Sequence, residues 1–112
     1  MSPVERVRQI LKGAGFTVYR PGEALGPCKD GYLVVYDAGL TARNRVAAER
    51  AVGVIACQPL GRHEALDPML NKARALLIEA GLKPRGSAGP EAIDEGFRAH
   101  TQSLEFTALC AM

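Results

Sequence analysis

The sequence predicts an α+β fold, a mainly antiparallel sheet of about four to five strands with two helices packed on one face. Apolar residues recur at helical spacing in two segments, one at the start of the chain and one after residue 65. Between and after these segments lie runs rich in β-branched and aromatic residues, which are typical of strands. The order helix, three strands, helix, two strands is that of an α+β domain.

The length of the chain limits it to one domain. Its 112 residues are too few to bury two separate cores, so residues 1–112 are expected to fold as a single unit. Apolar residues make up 47% of the chain and charged residues 23%, which is the range of globular proteins.

The first helix is predicted by a capping pattern followed by an apolar stripe. Ser2 can accept a hydrogen bond from the backbone three residues on, Glu5 can return one, and Pro3 suits the first helical position. The helix should end at Gly13 or Gly15. Its apolar stripe is expected to face the core and its cations to face water: the stripe is Val4, Val7, Ile10, Leu11 and Ala14, and the cations are Arg6, Arg8 and Lys12.

Three strands are predicted next. Residues 16–19 alternate as a half-buried strand does, and a loop follows from Gly22 to Gly31. Residues 32–37 are β-branched and aromatic, which predicts the central strand of the sheet, buried on both faces. Residues 51–57 form a further apolar strand, expected to pair with it in antiparallel fashion.

The second half supplies a longer helix and two strands. Asp67 is expected to cap this helix with Pro68 at its first position, after an irregular turn, and Gly81 to end it. Residues 82–85 fit a short edge strand, where proline is tolerated. The closing segment is predicted to be a long strand with one wet face, its apolar side formed by Leu104, Phe106, Ala108 and Cys110.

No catalytic or metal-binding pattern is evident. His63 and His100 are the two candidates for a general base near neutral pH, but neither belongs to a catalytic spacing, and a neighbouring residue such as Glu64 should not face His63. Cys28, Cys57 and Cys110 form no CxxC pair, so no metal is expected. The chain contains no Walker loop, and no cofactor is expected. Cys57 and Cys110 should pack as small hydrophobes, whereas Cys28 is expected in an exposed loop.

A basic segment between two strands is the candidate contact surface. Residues 38–50 fit either a long loop or the outer arm of a β-hairpin, and they carry Arg43, Arg45 and Arg50. These arginines could touch another subunit, a partner protein or phosphates, or could simply be solvated. The acidic run of residues 91–95 is too irregular for a calcium loop and could meet such a basic segment across a subunit boundary.

Charge and hydropathy exclude two classes of partner. The formal net charge of +2 is too small for a nucleic-acid module, so no sequence-specific nucleic acid is expected. The chain contains no stretch that approaches the roughly 20 apolar residues of a membrane span, so no membrane is expected either.

Several segments together resemble the tail terminator family of tailed bacteriophages. They are the opening helix from Pro3 that ends at Gly15 and Phe16, the stretches 18–22 and 28–35, the long helix before Gly81, and the closing strand from Arg98. This resemblance spans most of the chain and rests on the order of elements rather than on a catalytic signature.

The resemblance implies a structural protein and not an enzyme. It implies a homo-hexameric ring that ends polymerisation of the tail tube and joins the tail to the head connector. Its partners would be other copies of the chain, the tail-tube protein and the head-tail connector protein. Its place would be the tail-neck junction of the virion, after assembly in the host cytoplasm. The alternatives are a head-tail connector or head-completion protein of the neck, a small enzyme, and a nucleic-acid accessory protein.

Overall fold

A computed structural model describes residues 2–23, 28–42, 47–85, 89, 91–96 and 98–111 of the chain. Two helices, six strands and one 3₁₀ turn lie within these residues, and the turn at His63–Ala65 comes directly before the second helix. The helices are α1 (Pro3–Gly13) and α2 (Leu66–Glu79). The strands are β1 (Val18–Tyr19), β2 (Tyr32–Ala42), β3 (Ala47–Pro59), β4 (Lys83–Arg85), β5 (Ala92–Asp94) and β6 (Ala99–Ala111).

All six strands form one sheet, which confirms the predicted α+β class. The strand order is β1-β2-β3-β6-β4, and β5 pairs with β6 beside β4. Every pairing is antiparallel except that of β1 with β2. The prediction that residues 32–37 form the central strand is wrong, because β3 lies between β2 and β6. β2 is second from the edge, and Asp37 near its middle is exposed rather than buried.

Helix α1 begins and ends as predicted. The Ser2 side chain accepts a hydrogen bond from the Glu5 backbone N–H at 3.2 Å, and Pro3 stands at the first helical position. After Gly13 the chain turns through Gly15, whose φ of 98° is a conformation that glycine adopts without a Cβ clash. The Glu5 carboxylate does not return the capping bond. It forms ion pairs with Arg8 and, at 3.4 Å, with Arg20.

Arg8 contradicts the prediction that it faces water. It is buried, and its Nη2 donates to the Val35 carbonyl oxygen of β2 at 3.3 Å, while Nη1 pairs with Glu5. The long aliphatic stem of arginine can pack on apolar neighbours while its guanidinium reaches a polar partner. A position beside the apolar stripe of the helix therefore does not require the arginine to be exposed. Burial lowers the pKa of this guanidinium. Arg8 thereby ties α1 to the outer edge of β2.

Helix α2 starts two residues earlier than predicted, at Leu66 rather than Pro68. Its N-cap is Ala65, which makes no side-chain capping bond, and Asp67 lies in the first turn instead of at the cap. The irregular turn expected before the helix is the 3₁₀ turn at 63–65, which leads straight into it. Pro68 is tolerated because the first-turn N–H groups have no helical partner. At the other end, Arg6 donates to the Ala80 carbonyl oxygen at 2.6 Å and satisfies the end of the helix.

Both helices pack on the same face of the sheet, as predicted. On the strands, alternate residues of β2, β3 and β6 point into this core. The closing strand has the predicted phase, since Leu104 and Phe106 are buried and Ala108 packs against the core. The helices contribute one apolar side each, and the buried members of this core include Val7, Leu11, Leu66, Leu70, Leu77, Leu33, Val35, Val52 and Val54.

Strands β2 and β3 form a long hairpin. Within the described residues 38–42 and 47–50, this confirms the hairpin alternative over the loop alternative. The pairing continues from Tyr32 with Cys57 to Ala42 with Ala48, and a bulge between Asp37 and Gly39 shifts the register once. β6 accompanies β3 over the same length, so the molecule measures 47 Å along its long axis and about half that across.

The outer edge of β6 carries two short strands. Residues 83–85 pair with residues 105–107, which confirms the predicted edge strand. The acidic stretch was not predicted to be a strand, yet residues 92–94 pair with residues 99–101. Pairing with the edge of β6, a few residues further along the chain, overrides the weak preference of this segment for strand structure.

We expect Phe106→Ala to lower the free energy of unfolding by about 3 to 5 kcal/mol, because Phe106 is fully buried in the core on the helix side of the sheet. Urea unfolding followed by circular dichroism measures this change. Ile93→Ala is the matched control, since Ile93 is 59% exposed and its loss should cost less than about 0.5 kcal/mol. Equal effects of the two substitutions would contradict the described core.

Candidate functional site: the open face of the sheet

The face of the sheet opposite the helices carries no helical layer in the described part of the chain, and it is here called the open face. Strand alternation assigns its residues, because neighbours in sequence point to opposite faces. Tyr32, Val34 and Tyr36 of β2 lie on this face, opposite Cys57, Ile55 and Gly53 of β3. The next strand adds Thr101, Ser103 and Glu105 in register with the β3 residues.

A second, smaller apolar cluster covers one end of the open face. Its buried members are Cys28, Tyr32, Cys57 and Ala99. The Tyr19 ring meets the Tyr32 ring edge to face, with centroids 5.0 Å apart and planes at 82°. The expectation that Cys28 is exposed is wrong. Its side chain is 8% exposed and its thiol donates to the Asp30 carbonyl oxygen at 3.2 Å.

The two described thiols are poor nucleophiles. Burial raises the pKa of the Cys57 thiol to about 11, and burial raises the pKa of Cys28 as well. The thiolate is the reactive form, so at neutral pH a thiol with a raised pKa is almost entirely inert. Cys57 therefore packs as a small hydrophobe, as the sequence predicted. Burial also raises the pKa of Tyr32, which shares a side-chain hydrogen bond with Cys57.

Beside this cluster the open face has a groove of about 290 Å³. Its floor is apolar, formed by Tyr32, Val34 and Ile55, and the turn after β1 forms one wall. Arg20 and Asp94 bring opposite charges to the rim. An apolar floor with a mixed rim suits contact with another protein surface, where apolar area is covered at the centre and charges lie around it. Other lining residues are Pro21, Gly22, Cys57 and Thr101.

At the middle of the open face, a tyrosine ring lies over a glycine. Tyr36 and Gly53 are register partners, and a Cβ on Gly53 would overlap the Tyr36 ring. The ring therefore fills the space above Gly53 that the side chain of any other residue would need. Burial raises the pKa of Tyr36, and the nearby Glu105 carboxylate raises it further. The sequence shows this contact only once the hairpin register is known.

The two histidines lie together, which the sequence did not indicate. The His63 and His100 rings have centroids 5.4 Å apart at an angle of 60°. His63 Nδ1 is 3.7 Å from the Glu64 carboxylate, so the expectation that these neighbours do not face each other is wrong. His100 Nδ1 is 3.8 Å from the Glu91 carboxylate. Both distances exceed hydrogen-bond range, so neither carboxylate fixes the tautomer of its imidazole.

Within the residues described above, no group of three or more histidine, cysteine and acidic side chains is placed to hold a metal ion. Neither described helix is long and apolar enough to span a bilayer.

Of the three candidate arginines, the structure describes one, Arg50. Arg43 and Arg45 lie outside the described residues. Arg50 belongs to β3 and forms an ion pair with Asp37 across the hairpin, so its charge is partly satisfied within the chain. Its side chain is 31% exposed, which leaves part of the guanidinium accessible from outside. The pair lies where the long hairpin leaves the helical layer.

Raising the pH should destabilise the fold through Cys57. The unfolded thiol ionises near its ordinary pKa of 9.0 and the folded thiol near 11, so the folded state holds its proton more tightly. The free energy of unfolding should fall as pH rises from about 9 to about 11. Cys57→Ala should make this fall shallower, because the alanine has no proton to lose. Urea titrations at a series of pH values measure it, and parallel pH profiles for parent and variant would contradict the assignment.

We expect Gly53→Ala to destabilise the fold by about 1 to 3 kcal/mol, because its Cβ forces the Tyr36 ring off the sheet. In a Tyr36→Ala background the same change should cost much less. The coupling between the two substitutions in a double-mutant cycle of unfolding free energies tests the contact. Additive effects would show that the ring does not lie over Gly53.

Comparison with known proteins adds no assignment to this geometry. No protein-family model matches the sequence, and no curated protein matches it.

Proposed function

We propose that this chain is a structural protein of a tailed bacteriophage or prophage, a tail terminator that assembles into a homo-hexameric ring. The ring stops polymerisation of the tail tube and offers a surface to the head connector. In this proposal the chain is not an enzyme and takes no cofactor, and it works at the tail-neck junction of the virion after assembly in the host cytoplasm.

The observation that carries the proposal is the extension of the three long strands beyond the helical layer. Among the described side chains, the helix-side core on these strands extends to Val35, Val52 and Phe106, with Ala108 at its margin. Beyond that level β2, β3 and β6 continue to Ala42, Ala47 and Ala111. A sheet gains most of its stability by burying a face, so strands that outrun their own helices are suited to burial against another molecule.

The surface chemistry also supports assembly over catalysis. The groove on the open face combines an apolar floor with opposite charges, whereas its thiol is held in the inert, protonated form by burial. A cyclic head-to-tail contact covers one such surface in every subunit at once, which is how closed rings form from identical chains. Arg43 and Arg45 remain candidates for contact with a neighbouring subunit or ring.

Two partners follow from a terminator role. One is the tail-tube protein, on whose last ring the terminator would bind, and the other is the head-tail connector protein. A head-tail connector or head-completion role belongs to the same structural class but predicts a different partner, because such a protein binds to the head and leaves tube length unchanged.

The proposal predicts two results with purified protein. Native mass spectrometry should show a closed oligomer, expected to be a hexamer. When polymerising tail-tube protein receives substoichiometric amounts of this chain, electron microscopy should show shorter tubes that carry an additional ring at one end. An equal amount of an unrelated protein of similar size and charge is the control.

Each contrary outcome removes a specific part of the proposal. A chain that remains monomeric both alone and with tube protein would contradict assembly of any kind. A ring that leaves tube lengths unchanged but binds a connector would contradict termination and favour the connector role.

A further inference from the structure

We propose that neighbouring subunits join by direct strand pairing, in which the outer edge of β2 near Leu40–Ala42 pairs in parallel with the outer edge of β6 near Leu109–Ala111 of the next copy. The proposal rests on the ring assembly proposed above and names its seam.

The outer edges of β2 up to Val35 and of β6 up to Thr107 are here called the lower parts, and the remainder of each edge is the upper part. The lower parts of both edges are already occupied. β1 pairs with β2 at Leu33 and Val34, and Arg8 binds the Val35 carbonyl oxygen. On β6, β5 covers residues 99–101, β4 covers residues 105–107, and the Gly89 N–H donates to the Ser103 carbonyl oxygen at 2.9 Å between them. Among the described residues, no strand pairs with the outer edges of β2 beyond Val34 or of β6 beyond Thr107.

The upper parts of the two edges lie at the same level of the sheet. Leu40 pairs with Arg50, which pairs on its other side with Ala108. Ala42 reaches Cys110 in the same way through Ala48. Strands β2 and β6 are both antiparallel to β3, so they run in the same direction. Rotation about a ring axis preserves the direction of strands that run along that axis. With the long strands along the axis, it therefore brings β2 of one copy beside β6 of the next as a parallel pair.

The backbone groups on both edges face outward at suitable positions. On β2, the Leu33 N–H donates to Thr17 at 2.9 Å on the side away from β3. Alternation and the bulge after Asp37 then place the N–H and C=O groups of Leu40 and Ala42 on that outer side.

The same alternation applies on the other edge. The outward carbonyl of Ser103 implies outward groups at Leu109 and Ala111. A parallel ladder needs outward groups at every second residue of each strand, and both edges meet that need.

Among the described residues, the outer edge of β4 is protected, whereas the outer edges of β2 at Leu40–Ala42 and of β6 at Leu109–Ala111 carry no covering strand. Pro84 of β4 pairs with Phe106, whose backbone groups face β3, so the nitrogen that lacks a hydrogen lies on the outer side of β4. Proline and charge are the usual means of blocking an exposed edge. The residues of the proposed seam include neither proline nor a charged residue: they are Leu40, Thr41 and Ala42 on β2, and Leu109, Cys110 and Ala111 on β6.

Proline substitution tests the seam directly. Leu40→Pro and, separately, Leu109→Pro remove an outward N–H, while Leu40→Ala and Leu109→Ala keep it and serve as matched controls. Each proline variant should weaken ring assembly at least about tenfold relative to its alanine control, measured by sedimentation over a concentration series. Circular dichroism must show the parent fold in the variant subunits. A folded proline variant that assembles like its control would overturn the proposal.

Cross-linking tests the same seam without altering the hydrogen bonds. In a Cys110→Ala background, Ala42→Cys and Ala111→Cys subunits carrying different mass tags are mixed and treated with a short bis-maleimide. Buried Cys28 and Cys57 should not react. Head-to-tail pairing predicts cross-links between the two variants and none within either variant alone, and the double variant should give a covalent ladder up to the full ring.

Three outcomes would overturn the proposal. Cross-links of Ala42→Cys subunits to one another would show a two-fold contact between β2 edges. A ring without cross-links would show that the seam lies elsewhere, although ring assembly itself would stand. A protein that is monomeric at all concentrations would remove both the seam and the ring on which it rests.

Discussion

The backbone ladder around β3 determines the rest of the structure. This strand pairs with β6 along its whole length and with β2 along nearly all of it, so three long strands share one register. Because successive residues point to opposite faces, that register assigns each side chain to the helices or to the open face. A slip by one residue would exchange Val52 and Val54, both fully buried, for Gly53 and Ile55. The apolar core under the helices makes such a slip costly.

The two faces defined by this ladder are stabilised differently. The helix side is a continuous apolar core, closed by α1 and α2 and tied to β2 by the buried guanidinium of Arg8. Among the described residues, the open face has a small cluster at one end, around Tyr32 and Cys57, and a tyrosine ring over Gly53 in its middle. Stability therefore comes mainly from the helix side, and the open face and the strand ends are available for contact with other molecules.

The parts of this fold that follow from local signals could be predicted from the sequence. The Ser2 cap and the stripe containing Phe106 depend only on residues near them in the chain, and both are confirmed. Most of the features that were missed depend on distant segments. Burial of Arg8 requires Val35, and burial of Cys28 requires the cluster beside β2 and β3. Likewise, the histidine pair and the groove exist only once β1, β5 and β6 are assembled. The strand at 92–94 was missed although its partner strand is near in sequence, because three residues are too few to show a strand pattern.

The distribution of edge protection along the sheet links the fold to assembly. In the described chain, short strands cover the outer edges only up to Val34 of β2 and Thr107 of β6, and Pro84 blocks the outer edge of one of these short strands, β4. Past that level, both outer strands continue without covering strands in the described chain, at matching heights and in the same direction. An exposed apolar edge is an aggregation hazard unless a specific partner covers it. A closed ring removes that hazard in every subunit with one repeated contact, whereas an open chain of subunits would always leave two edges exposed.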